Sequence, residues 1–378
     1  MKALSLTRAG VALPVADKGH YEDLVDLSSD YSHYTVPKPV AEAVVHAAQS
    51  TDLGRATAAQ GRALVDGIVG KLQQCNALEV DHDSVVVTAG GTMGISVALA
   101  AVADAGDELL VPDPGWPGFA QLARAWGLTP VRYPIGWDGR IDYPALGQLV
   151  TPRTKLIALS QPSNPTGAVL DLPALRELVG FAQAHDLYVL SDETFDLIRL
   201  PDSLARGPGC CDSDGRVISV FSFAKTHALA GLRLGYVVAA APLARAIART
   251  QEALMNTPSS LAIAAGMAAL AMDSSVVESM REFYNQQRQT LQILLPPEVL
   301  PYPPAGGFLA LLDISRTSLP TGDAFAEALL QTHHLRVAPG SWFGERAAQA
   351  VRISFALKER PFGQAMARLG DFLEERGS

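Results

Sequence analysis

Cysteine is scarce in this sequence. The 378 residues include three, Cys75, Cys210 and Cys211, which excludes a disulfide framework. The adjacent pair Cys210 and Cys211 has no further Cys or His at ligand spacing, so no metal site is expected. Such cysteine usage fits a reducing, cytoplasmic compartment. Basic residues are also in deficit. Thirty Lys plus Arg against 39 Asp plus Glu leave a formal net charge of −9. That excludes a nucleic-acid binder led by phosphate contacts, but not a local basic pocket for a small anion. No apolar run is long enough to suggest a membrane span. The opening MKALSLTRAGVALPVADKGH carries Asp17 and Lys18 and lacks the apolar centre of a signal peptide. Internal repeats and low-complexity tracts are missing too. At 48% hydrophobic and 18% charged residues, the composition is that of a globular protein long enough for a large core and two lobes.

From about Asp83 short β-branched runs alternate with longer Ala/Leu-rich ones. SVVVT (84–88), ELLVP (108–112), LTPVRYP (128–134), KLIALS (155–160), LYVLSD (187–192), RVISVFS (216–222) and GYVVAA (235–240) read as strands. Helices are expected between them, at GGTMGISVALAAVADAG, around Phe119–Trp126 and over Leu172–His185. Alternation of this kind predicts an α/β fold with a mainly parallel sheet covered on both faces, and the near-continuous apolarity of the strands agrees. Residues 45–271 make the larger domain of this reading. Residues 1–44 and 272–378, with the long helical run SVVESMREFYNQQRQTLQIL and the segments GGFLALLDI and VRISFA, make a smaller α+β domain from both ends.

Open α/β sheets bind ligands beyond the carboxyl ends of their strands, so the residues there carry the chemistry. AGGTMG (89–94) turns straight into a helix. The free N–H groups of Gly91 and Thr92 suit an anion. Trp116, between Pro114 and Pro117, offers a rigid ring for a planar ligand. In QPSNPTG the amide of Asn164 can donate to a ligand oxygen. Asp192 ends a hydrophobic strand, where a carboxylate needs a cation. SFAKTHALAGLRLGY then supplies Ser222, Lys225 and Arg233. Arg233 has the fork for a phosphate and Ser222 a hydroxyl, while burial beside other cations makes Lys225 a nucleophilic amine. Anion cup, stacking ring, carboxylate and reactive lysine together describe a pyridoxal 5′-phosphate site, with a protonated pyridine nitrogen as the partner of Asp192.

With these motifs in this order, from about Asp26 to the end, the chain resembles the fold-type I aminotransferases of the aspartate aminotransferase class. The resemblance implies the PLP-dependent transferase fold (type I) and a Schiff base between the cofactor and Lys225. It places Gly91, Thr92, Ser222 and Arg233 on the phosphate, Trp116 on the ring, Asn164 on the phenolic oxygen and Asp192 on the pyridine nitrogen. Arg352, in VRISFA, is the clamp it implies for the substrate α-carboxylate. A homodimer with shared active sites and amino-group transfer from an L-amino acid to a 2-oxo acid are the expected assembly and activity.

Two positions depart from the family pattern. Phe195 stands where a tyrosine usually donates to the phenolic oxygen, and losing that donor disfavours the anion. Ala56 replaces a tyrosine that usually reaches the neighbouring subunit's phosphate, with Arg55 beside it as a substitute. His33 and Tyr34, in DYSHY, fall in the segment that approaches the substrate. The two lost tyrosines keep a second outcome open: oxidative deamination, decarboxylation, elimination or replacement, or cyclisation on the same fold, in a specialised biosynthesis. A non-catalytic, ligand-sensing PLP-fold protein is the third reading, and retention of Lys225 weighs against it.

Overall fold

The computed structural model describes residues 21–32, 34–49, 56–200 and 206–376. In chain order the elements are β1 (Val25–Asp26), α1 (Lys38–Gln49), α2 (Ala58–Lys71), β2 (Val85–Thr88), α3 (Gly91–Val102), β3 (Glu108–Asp113), α4 (Pro117–Ala125), β4 (Thr129–Pro134) and α5 (Tyr143–Gly147). There follow β5 (Thr154–Ser160), α6 (Leu172–Ala184), β6 (Tyr188–Asp192), β7 (Val217–Ser222), α7 (Phe223–Thr226), β8 (Gly235–Val238), α8 (Ala241–Met255), α9 (Ser260–Leu270) and α10 (Ser274–Leu294). The last are β9 (Leu309–Asp313), α11 (Gly322–His333), β10 (Leu335–Arg336), β11 (Ala338–Pro339), β12 (Ala350–Ser354) and α12 (Glu359–Arg376).

Seven strands form one sheet in the order β2-β8-β7-β6-β5-β3-β4. Alternate strand residues face opposite sides, and both sides are covered. Leu109, Val111, Leu156, Ala158, Ile218 and Val220 meet α3, α4 and α8 through Ile95, Phe119 and Ile247. Leu110, Ile157, Leu159 and Val189 meet α6 through Leu178 and Val179. Val40, Leu64, Ile68 and Ile263, from α1, α2 and α9, cover the β7–β8 end beside Phe221 and Val238. The helix starts are legible locally. Asp171 caps α6, its Oδ1 accepting from Ala174 N at 2.9 Å, and a proline in the first turn follows.

Strand β8 alone runs against the rest, antiparallel to both β2 and β7. The reason lies in the connection. Between β7 and β8 the chain forms only α7 and a 3-10 turn at Ala230–Leu232, too little helix to carry a parallel crossover. The remaining strands are parallel, so the ends of β2, β3, β5, β6 and β7 open along one edge.

The two ends of the described chain share another core. β11, β12 and β9 form an antiparallel sheet, and β1 pairs in parallel with β10. Val25 and Leu27 pack with Phe325, Leu335 and Phe372, and the same core reaches Phe195 and Phe308 beside the large sheet. Among the described residues no single helix is long and apolar enough to cross a membrane.

Candidate active site

A cavity of about 630 Å³ opens where the parallel strands end. Gly91, Thr92, Trp116, Asn164, Asp192, Phe195, Ser222, Lys225 and Arg233 all line it. They come from widely separated parts of the chain, and the strand ends bring them together. Asp30, Tyr31 and Thr194 line it too.

One wall is a cup for an anion. Gly90 holds φ +85°, which favours glycine, and lets the chain turn from β2 into α3. The first N–H groups of α3, at Gly91 and Thr92, have no partner within the helix. A Cβ on Gly90 would sit 2.7 Å from Arg233 Nη2, so the guanidinium lies against this bare backbone. Arg233 itself turns at φ +52° and anchors Nη1 on Ala230 O at 3.1 Å. Ser222 ends β7 and its Oγ accepts from Ala224 N at 3.1 Å, which leaves its hydroxyl hydrogen free to donate. Gly235 on β8 is required by space: a Cβ there would meet Gly91 N at 2.7 Å.

Lys225 is 7% exposed. Its Nζ donates to Asp30 O and lies 3.1 Å from Asp30 Oδ1, and 4.7 Å from the centre of the Tyr31 ring. Burial pushes the Lys225 amine below its ordinary range; the Asp30 carboxylate opposes and Arg352 adds to the lowering. Burial alone would raise Asp30, but attraction to Lys225 and Arg352 outweighs it and holds the carboxyl low.

Asp192 ends β6. Burial pushes its pKa up, against hydrogen bonds from Thr194. Thr194 Oγ1 donates to Asp192 Oδ1 at 2.5 Å and Thr194 N at 3.1 Å. Asp30 and Thr194 were missed in the sequence, although both stand inside motifs singled out there, DYSHY and SDETF. Behind Asp192, fully buried Glu193 is pushed up to about 7 by burial, with Ser219, Arg199 and Lys71 opposing.

Arg352 reaches the site from the other sheet. It is 6% exposed on β12, and its Nη1 donates to Asn164 Oδ1 at 3.1 Å. Nη2 donates to Ser28 O at 2.5 Å, and Cζ stands 4.8 Å from the centre of the Phe343 ring. Its Nε has no partner among the described residues. Arg352 does not itself line the cavity; Asn164 stands between. Trp116 caps the start of α4, its ring edge-on to Phe119 at 5.3 Å. Phe195 packs at right angles to Phe308 at 5.0 Å. Tyr34 packs against Phe283 at 6.1 Å, away from the cavity lining. Ala56 packs at the edge of the α1–α2–α9 core. His33 and Arg55 lie outside the described residues.

A doubly covered, mainly parallel sheet with a buried lysine and an anion cup at its strand ends defines the fold of type I aminotransferases. An aromatic aminotransferase structure from Pyrococcus horikoshii superposes with a TM-score of 0.85 at 29% identity, covering 93% of this chain and 96% of that one. In sequence, an aspartate aminotransferase of the same organism is 28% identical over 93% of this chain and 91% of its own length. An arginine–pyruvate transaminase of Pseudomonas aeruginosa is 29% identical over 92% and 89%. Residues 22–369 match the family profile "Aminotransferase class I and II". The chain belongs to that family, whose members are generally PLP-dependent, and it is an enzyme of amino-group transfer.

Proposed function

We propose that this aminotransferase carries pyridoxal 5′-phosphate on Lys225 Nζ and exchanges amino groups between an L-α-amino acid and a 2-oxo acid. One observation carries the reading: a buried amine, a carboxylate raised by burial and an anion cup line a single cavity. The residues fit the cofactor. A Cβ on Gly90 would crowd the cup, the donors there are N–H, hydroxyl and guanidinium groups suited to phosphate, and Asp192 suits a ring cation.

In this arrangement Gly91, Thr92, Ser222 and Arg233 hold the phosphate, Trp116 and Phe195 border the ring, Asn164 meets its phenolic oxygen and Asp192 its nitrogen. Bound pyridoxal 5′-phosphate supplies an electron sink that makes an amino acid's Cα–H acidic. Lys225, with its affinity for protons lowered, takes the Cα proton at Nζ. Arg352 offers its fork to the substrate α-carboxylate, with Asn164 fixing its orientation. His33 and Tyr34 belong to the substrate-side segment of this proposal.

The reading extends to assembly and organisation. A homodimer with shared sites follows the family. Domains at 45–271, and at 1–44 with 272–378, are supported by the separate cores, with α1 straddling the first boundary. Free thiols at Cys75, Cys210 and Cys211 suit a cytoplasmic setting.

The test is an absorbance spectrum of the purified protein before and after a panel of amino acids, in air, with products identified. Conversion of the cofactor band to that of its amine form, reversed by a 2-oxo acid and lost in Lys225→Ala, is expected. Oxygen uptake, or product without the amine form, would instead mark a diverted reaction.

A further inference from the structure

The segment Ser28–Tyr31 borders one side of the cavity and holds two cations, Lys225 in its lining and Arg352 behind Asn164. Ser28 O accepts from Arg352 Nη2 and Asp30 O from Lys225 Nζ. The Asp30 side chain goes further, with Oδ1 at 3.1 Å from Nζ and about a third of its surface open. A mobile surface carboxylate could swing away. This one is held by its own main chain on the same amine, beneath the Tyr31 ring.

The position of Nζ also fixes where a substrate must lie. A base that removes a proton has to come within about 3 Å of the carbon that carries it, so Asp30 Oδ1 stands no more than about 6 Å from the reacting Cα. That is the reach of the first side-chain atoms of an amino acid. When Lys225 acts as the base its Nζ is an uncharged amine, so the cation that Asp30 now faces is absent, and Arg352 is engaged by the substrate's α-carboxylate. Asp30 is then a negative group turned toward the substrate side chain. Among the described lining residues Arg233 is the only arginine, and it sits in the anion cup.

We propose that Asp30 is a specificity residue that turns the site away from amino acids bearing a second carboxylate and toward those with neutral or cationic side chains. The proposal rests on the assignment of Lys225 and Arg352 given above. Two like charges about 6 Å apart near a protein surface disfavour binding by about 10- to 100-fold.

The experiment compares wild type with Asp30→Asn, which removes the charge and keeps the shape. Kinetics with glutamate, leucine and lysine are paired with calorimetric binding of succinate and butyrate to the cofactor-loaded protein. Asp30→Asn is expected to raise the glutamate-to-leucine ratio of kcat/KM by at least about tenfold, and to lower the lysine-to-leucine ratio. The succinate-to-butyrate affinity ratio should rise in parallel. Ratios that move by less than about twofold, or no measurable binding of either acid to Asp30→Asn, overturn the proposal. If no panel member is transaminated by either protein, the functional assignment fails, while the binding ratio still decides the role of Asp30.

Discussion

Replacing Asp192 by asparagine separates what the site costs the cofactor-free protein from what it gives the loaded one. Burial raises the Asp192 pKa above its ordinary 3.8, and Thr194 and Lys225 offset only part of that. A carboxyl that holds its proton more tightly when folded contributes stability in full below 3.8. The contribution is lost as pH rises through the folded pKa, so the buried carboxyl supports the cofactor-free fold less and less as the solution becomes more alkaline. The amide keeps the shape and still offers Oδ1 to the Thr194 donors. Because one edge of Asp192 faces the open cavity, the gain on neutralising it is about 1 kcal/mol rather than several. That corresponds to a rise in Tm of roughly 2 °C for the cofactor-free protein. Cofactor affinity should move the other way. Truncating one partner of a buried charge pair costs about 2–5 kcal/mol, or about 30-fold to several thousand-fold in Kd. Thermal unfolding of the cofactor-free protein between pH 5 and 8, with absorbance titration of pyridoxal 5′-phosphate, measures both. A cofactor-free variant less stable than wild type at pH 7.5, or an unchanged cofactor Kd, would refute the reading of Asp192 as a carboxylate awaiting a cation.

Three further substitutions probe separate parts of the site. Arg352→Lys keeps the charge but cannot donate to Asn164 and to a carboxylate through one planar fork; KM for amino acids should rise about 100-fold with a smaller change in kcat, read from steady-state kinetics. Phe195→Tyr restores a hydroxyl on a ring that borders the cavity, and the pH midpoint of the bound cofactor's absorbance should fall by about one to two units; an unmoved midpoint means that Phe195 is a packing residue only. Glu193→Gln addresses the buried carboxyl raised from 4.5 to about 7. Its stabilising contribution is full below pH 4.5 and is lost as pH rises through 7. Denaturant unfolding should therefore show the glutamine variant gaining on wild type by up to about 3 kcal/mol between pH 4.5 and 8.

Most of the architecture was legible because it is written in short-range patterns. The central strands of the large sheet, such as β3, β6 and β7, are mostly apolar runs buried on both faces, while the edge strand β4 keeps Thr129 and Arg132 exposed. The reversal of β8 was not legible from the strand itself, since GYVVAA reads alike in either direction. It lies in the shortness of the helical connection before it. The anion cup was readable for a similar reason. Gly90, Gly91 and Thr92 are contiguous, and their donors are backbone groups that any strand-to-helix turn would present.

Contacts that cross the chain were another matter. The Lys225–Asp30 contact joins residues 195 positions apart and the Arg352–Asn164 contact residues 188 apart. No local pattern in DYSHY distinguishes Asp30 from its polar neighbours; only the crossing of the β1 segment over the end of β7 does so. Phe195 shows the same limit from the opposite side. In the sequence it is a missing hydroxyl. In the structure it is also part of the core that joins the two ends of the chain, through Phe308 and the bare backbone at Gly307. Its ring therefore couples the cavity wall to the sheet that carries Arg352. A tyrosine there would add a donor at the cavity without removing that packing, which is why the Phe195→Tyr spectrum separates the chemical role of the position from its structural one.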